Sequence, residues 1–212
     1  MRKAVIVDFD GTFVSINSFE FFYKELAICA LKEKNIYLFA FLFKQILLRK
    51  LRIIKHCELK KRTLHYFFEN KLDAFVPTFV NKLHSYVNER VLSVCKDYKQ
   101  NGYAVHLCTA APELYVKPFF DSFEVKFDDV ICTPNPHEDY DWKENLLDRK
   151  KETTMELLSQ RDELLSVLIT DHHNDLPLLS VSKEKNLLIN PSAKTVSILK
   201  KNQIPFEEWD AN

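Results

Sequence analysis

Glycine is nearly absent from this chain: 212 residues contain two, Gly11 and Gly102. Each therefore marks a place where the backbone must turn in a way other residues resist. The five cysteines, Cys29, Cys57, Cys95, Cys108 and Cys132, are scattered with no close pair. That spacing excludes a zinc knuckle, and an odd, dispersed set reads as reduced thiols of a cytosol-like compartment, so a cytoplasmic location is expected. Neither charge sign is in excess: 30 Lys and Arg balance 30 Asp and Glu, so no global field draws the chain to nucleic acid. No apolar run is long enough to span a bilayer, which takes roughly 20 residues. Internal repeats and low-complexity linkers are missing too. Met1-Arg2-Lys3 leads directly into an apolar segment, so no cleaved targeting peptide is expected. What abounds is phenylalanine, 17 residues concentrated in the first half. The length allows one large domain or a domain carrying an insert.

Short apolar runs predict strands at Lys3–Val7, Tyr103–Cys108, Asp128–Cys132, Ser166–Thr170 and Asn186–Ile189. From about residue 86 they alternate with helical patterns, which predicts an α/β fold whose parallel sheet is covered on both faces. Asn101-Gly102 is a turn signal before the second strand. Residues 15–85 break the alternation: they lack glycine and carry dense Phe, Leu, Ile, Lys and Arg at helical intervals. They are expected to form a helical insert between the first strand and the rest of the sheet. Within it, Ile36–Phe43 is continuously apolar, Lys44 interrupts, and cations mix with aliphatics through Lys55. Two readings stand: an amphipathic helix touching lipid or a lipid-like substrate, or a surface helix with a packed face and a solvated basic face.

The chemistry-bearing residues cluster at strand ends. Asp8-Phe9-Asp10-Gly11-Thr12 follows the run Ala4–Val7 directly. Side chains two apart on an extended chain share a face, and burying two such carboxylates is costly unless a cation or proton relieves them. The second strand ends in Thr109-Ala110-Ala111-Pro112, where a hydroxyl and backbone N–H groups either grip phosphate oxygens or cap the next helix. The fourth ends in Thr170-Asp171-His172-His173-Asn174-Asp175. Hard oxygens from Asp8 and Asp171 suit magnesium, which keeps several waters. The paired histidines invite a transition metal, but neighbours on an extended segment point apart, so at most one would face it. A lysine at the start of the helix near residue 150 is placed to reach phosphate. Thr154, Met155 and Leu158 lie three, four and seven positions beyond Lys151, which favours it; Lys150 and Lys143 are alternatives.

These elements, in this order and spanning nearly the whole chain, resemble the haloacid dehalogenase superfamily of phosphatases. The long helical insert after the first strand is similar to the phosphoserine phosphatase-like subgroup. The stretches Thr170–Leu179 and Leu188–Ser192 resemble most the phosphatidylglycerophosphatase C branch. The resemblance implies a Rossmann-like, three-layer core (residues 1–14 and 86–212) with a helical cap (15–85). It implies a phosphomonoester hydrolase dependent on Mg2+, with Asp8 as the nucleophile that becomes an aspartyl-phosphate and Asp10 as acid and then base. Magnesium would be held by the Asp8 and Asp171 side chains and the Asp10 backbone carbonyl. Thr109, the Ala110 N–H and Lys151 would bind phosphate. Asp175 would orient a metal-bound water or the lysine, and Glu20 either stands where the subgroup contacts a substrate amine or is an exposed helix glutamate. The substrate is expected to be a small or lipid-linked phosphate, with peripheral membrane contact through the cap. A phosphotransferase or a non-catalytic binding module on the same fold are the alternatives. Phe13 and the Thr170-Asp171 pair depart from the family pattern, which has a smaller aliphatic and a glycine-aspartate there.

Overall fold

A computed structural model describes residues 1–123, 126–136 and 142–210. Its six strands are β1 (Arg2–Val7), β2 (Ala104–Pro112), β3 (Val130–Thr133), β4 (Glu163–Thr170), β5 (Lys185–Ile189) and β6 (Glu207–Trp209). They form one sheet in the order β3-β2-β1-β4-β5-β6, every neighbour parallel. The expected α/β architecture is therefore present. Sequence periodicity missed β6, because an exposed edge strand with two glutamates carries no apolar run. It also ended β2 four residues early; the strand runs on to Pro112, past a break in its register with β3.

Side-chain alternation along the strands splits the core in two. Val5, Val7, Val105, Leu107, Val167 and Ile169 face one side of the sheet. Ala4, Ile6, Ala104, Cys108 and Leu168 face the other. Burial on both faces is what a parallel sheet requires. The second side is covered by α7 (Asp148–Gln160), α8 (Leu176–Leu179) and α9 (Ala193–Lys201), through Leu158, Leu178 and Leu199 among others.

The first side is covered by the helices between β1 and β3. Residues 15–85 are helical, with no strand: α1 (Ser18–Lys32), α2 (Ile36–Lys50), α3 (His56–Glu69) and α4 (Phe75–Leu83). Asparagine side chains start two of them. Asn17 accepts the Glu20 N–H and Asn35 the Leu38 N–H, satisfying donors a helix start leaves open. The chain leaves the sheet and returns to it side by side, where Val14 bridges Val87 and the Asn88 N–H donates to the Phe13 carbonyl at 2.8 Å. From there α5 (Glu89–Gln100) and α6 (Glu113–Asp121) flank β2. No helix among the described residues is long and apolar enough to cross a membrane.

Phe13, the departure noted above, is fully buried in an aromatic cluster. Its ring lies 5.3 Å from Phe120 and from Phe127, and 6.3 Å from Phe119. The bulk after Gly11-Thr12 thus anchors the loop leaving β1 to α6. Phe13→Ala is expected to cost about 3–5 kcal/mol in urea unfolding, the range for emptying a packed aromatic site. Tyr37→Ala, whose parent ring is exposed, should stay within about 0.5 kcal/mol.

Candidate active site

Strand order reverses between β1 and β4, so helices diverge there and leave a crevice beyond the strand ends. Asp8 follows the end of β1 and Asp171 the end of β4, one on each side of that crevice. Gly11 makes their approach possible. Its φ is +70°, and a Cβ added there would lie 2.4 Å from Asp171 Oδ2. No other residue avoids both the strain and the overlap.

Lysine placement needs a correction. Lys150, not Lys151, enters the site: it is buried, and its Nζ lies 2.7 Å from Asp8 Oδ1 and 2.8 and 2.9 Å from the two Asp175 carboxylate oxygens. The buried stripe of α7 is Lys150, Thr154 and Leu158, spaced by four, whereas Met155 is exposed. Met155, expected on the packed stripe, faces outward, and Thr154 is fully buried. In fact the Thr154 hydroxyl is satisfied internally, donating to the Lys150 carbonyl at 2.7 Å. Asn145 fixes the start of α7 against β2 by donating to the Thr109 carbonyl and accepting the Thr153 hydroxyl. Asp175 also accepts the Thr170 hydroxyl at 2.7 Å, so both its oxygens are occupied. Its contacts orient the lysine, the first of the two roles expected for it.

Asp10 turns toward α1, where its Oδ1 accepts the Ser18 N–H at 2.8 Å. Ser18 in turn shares a hydrogen bond with the buried Tyr115 hydroxyl. Thr109 is buried and does not cap a helix: its Oγ1 accepts the Ala111 N–H, which leaves its proton to be donated. Asp8, Asp10, Thr109, Ala110, Lys150, Asp171 and Asp175 all line one cleft of about 280 Å³.

The insert and the α7 approach supply walls that sequence reasoning missed. Phe19 from α1 and His56 and Lys60 from α3 face the cleft, together with Glu144. Lys60 is buried; its Nζ donates to the Ala110 carbonyl at 3.0 Å and pairs with Glu144. A lysine in a helix of mixed charge carries no local signal that it will fold inward. Glu20 is exposed and lies outside this cleft. Of the histidines, His172 lines the cleft and accepts the Asn174 N–H through Nδ1, while His173 pairs with the Thr195 hydroxyl.

Burial dominates the electrostatics. It pushes Asp8 up to about 8, with Asp175 and Asp171 adding repulsion and Lys150 pulling the other way. Burial, then Asp175, lifts Asp171 to about 7. Asp10 is raised by burial as well, against the opposing Ser18 hydrogen bonds. Burial works against the Lys150 ammonium, but Asp175 and Asp8 outweigh it and hold the lysine charged. Asp8 and Asp175 thus share Lys150, and Asp8 Oδ2 and the Asp171 carboxylate are hard donors of the kind magnesium takes. No three His, Cys, Asp or Glu side chains converge on one point among the described residues. A cation that relies on two carboxylates, backbone and water fits this donor set. A transition metal held by the histidines does not.

Lys150→Met should cost about 3–5 kcal/mol in urea unfolding at neutral pH, because it leaves buried carboxylates facing one another without their cation. Lys151→Met should stay within about 0.5 kcal/mol. Equal losses in the two variants would put the buried charge pair elsewhere.

No curated protein matches the chain. Several solved structures share its fold at low identity. A protein of unknown function from Bordetella pertussis Tohama I is 16% identical, with TM-score 0.79 and all of both chains covered. A predicted phosphatase from Clostridium acetobutylicum is 14% identical, with TM-score 0.64 over 99% of this chain and 94% of that one. A phosphoserine phosphohydrolase-like protein from Francisella tularensis subsp. tularensis SCHU S4 is 15% identical, with TM-score 0.59 over 93% and 92%. These likenesses establish the fold. The haloacid dehalogenase-like hydrolase model matches residues 5–180, from β1 through Asp8, Thr109, Lys150 and Asp175, and the chain belongs to that family.

Proposed function

We propose that this hydrolase is a magnesium-dependent phosphomonoesterase working through an aspartyl-phosphate on Asp8. One observation carries the reading: Lys150 holds Asp8 Oδ1, which leaves Oδ2 as a nucleophile in a cleft that also presents the Thr109 hydroxyl and Asp10. Asp8 Oδ2 would attack phosphorus while the bond to the substrate oxygen breaks. The departing alkoxide would take a proton from Asp10, whose raised pKa favours a protonated starting state. Water would then attack the acyl phosphate, giving its proton to Asp10 and releasing phosphate, with Asp8 restored. Thr109 would donate to a phosphoryl oxygen, and Lys150 would steady the charge on Asp8 and on the phosphoryl group. Asp8 and Asp171, with the Asp10 carbonyl, would hold Mg2+, which supplies positive charge against the phosphoryl oxygens when bound.

On this reading residues 15–85 act as a cap over a core of 1–14 and 86–212, and they carry the selectivity. Phe19, His56 and Lys60 wall the place the leaving alcohol would occupy. A second cavity of about 440 Å³, lined by Phe19, Tyr23, Ile46 and Leu59 on its apolar side, adjoins them and suits a partly apolar substrate, a small or lipid-linked phosphate. The Clostridium and Francisella neighbours, described as a predicted phosphatase and as phosphoserine phosphohydrolase-like, fit the same chemistry.

With an aryl phosphate and Mg2+, the chain should release inorganic phosphate; EDTA should stop it. Asp8→Asn should fall to background and Asp10→Asn by about 100-fold or more, the usual weight of general acid–base help. Undiminished phosphate release by purified Asp8→Asn would remove the reading. Phosphate delivered to an added alcohol, with none released, would make it a transferase.

Stability should also report the cation site. Asp8 and Asp171 ionise near pH 8 and 7 when folded, against 3.8 ordinarily. The unfolded chain loses these protons first, so their contribution is present below about pH 4 and is lost as pH rises through 7 to 8. In EDTA the unfolding midpoint is expected to drop between pH 5 and pH 8. Magnesium should restore more at pH 8, where both carboxylates are ionised; an equal increment at both would count against these two as its ligands.

A further inference from the structure

The outward face of α2 is the least accounted-for surface of the molecule. Ordinary surface helices bury an apolar stripe and turn polar residues outward. Here Leu38, Leu42 and Gln45 point inward, and the outward face is apolar too. Ile36, Tyr37, Phe39, Phe43 and Leu47 are all exposed, from 37% for Phe39 to 80% for Tyr37. The apolar surface continues past the helix end in Leu51 and Ile53, 61% and 64% exposed. Among the described residues, eight of the eleven exposed large hydrophobics fall between residues 31 and 53. So dense a patch on one element marks a docking surface.

Its charge identifies the occupant. Residues 36–55 contain five cations, Lys44, Arg49, Lys50, Arg52 and Lys55, and no Asp or Glu, in a chain whose total charge is zero. All five cations are exposed. The solvated basic face considered from sequence is therefore only part of the surface: the cations border an apolar strip rather than replace it. A second copy of the chain on this face would set five cations against five. An anionic bilayer offers apolar depth and negative headgroups together, which is the combination an interfacial helix uses. The face is also continuous with the site. The cavity beside it is lined by Ile46, Arg49, Lys50 and Arg52, and shares Phe19 and His56 with the catalytic cleft.

We propose that the outward face of α2 and the segment following it dock on a bilayer surface rich in anionic phospholipid. This placement does not depend on the phosphatase chemistry, and its test reads binding rather than turnover. The full chain is sedimented with vesicles of phosphatidylcholine alone and of phosphatidylcholine and phosphatidylglycerol in equal parts. Partitioning should be about tenfold or more stronger on the anionic vesicles, the size expected if two of the five cations reach the headgroups, and it should weaken as salt is raised. Phe43→Ser/Leu47→Ser should lose most of the binding while keeping the unfolding midpoint of the parent, since both side chains are exposed. Arg49→Gln/Arg52→Gln should lose the preference for anionic lipid. Absence of binding to either vesicle, equal binding to both, or binding unaffected by the α2 substitutions would overturn the proposal. So would a dimer by analytical ultracentrifugation that the Phe43→Ser/Leu47→Ser substitutions dissociate, because that face would then be covered by a second copy.

Discussion

Like charges cannot share a buried pocket without something positive among them. Asp8, Asp10, Asp171 and Asp175 line one cleft because parallel strands end together, and Lys150 is the cation the chain supplies between Asp8 and Asp175. Much of the surrounding structure serves that lysine. Asn145 ties the approach to α7 onto the end of β2, and Thr133 bonds both the Asn145 N–H and the Ala110 carbonyl. Thr154 closes the turn beneath it. One long side chain is thereby held without the freedom that makes exposed ion pairs nearly worthless.

The aspartates could be found from sequence because strand ends are easy to read. An apolar run, a stop and one of only two glycines locate Asp8 and Asp10, and the run before Asp171 does the same on the neighbouring strand. Thr109 and Asp175 follow from the same logic, and these residues are brought into one cleft. Lys150 was harder, because three consecutive cations, Arg149, Lys150 and Lys151, lie in the first turn of α7 and only the helical phase separates them. Phase depends on which semi-polar side chain is buried, and Thr154 is buried through hydrogen bonds that hydropathy does not see. Lys60 and His56 lay beyond reach for another reason. Their position depends on how α3 packs over the sheet, a long-range outcome with no local mark.

Phenylalanine abundance now divides into two parts with different physics. Phe119 meets Phe9, Phe13 and Phe120 edge to face beneath the loop that carries Asp8 and Asp10, where aromatic contacts add rigidity as well as burial. Phe22, Phe75 and Phe79 do the same between α1, α4 and Tyr115. Those rings explain why a glycine-free insert packs against the sheet as one continuous core. Phe43 lies on the far side of that insert, outside the core, so its presence has no packing explanation within the chain.

Charge also sets an order of events on the proposed chemistry. Lys60 is already satisfied by Glu144 and the Ala110 carbonyl, and Lys150 by Asp8 and Asp175. A phosphate dianion entering this cleft therefore meets lysines whose charge is already offset by carboxylates, and it also meets Asp171 and the second oxygen of Asp8. On that chemistry the further attraction would come from a cation held between Asp8 and Asp171, or from protons on them, and a protonated Asp8 is a poor nucleophile. Cation before substrate is then the productive order. The same burial that raises the carboxylate pKa values would then couple cation uptake on Asp8 and Asp171 to the loss of protons near neutrality.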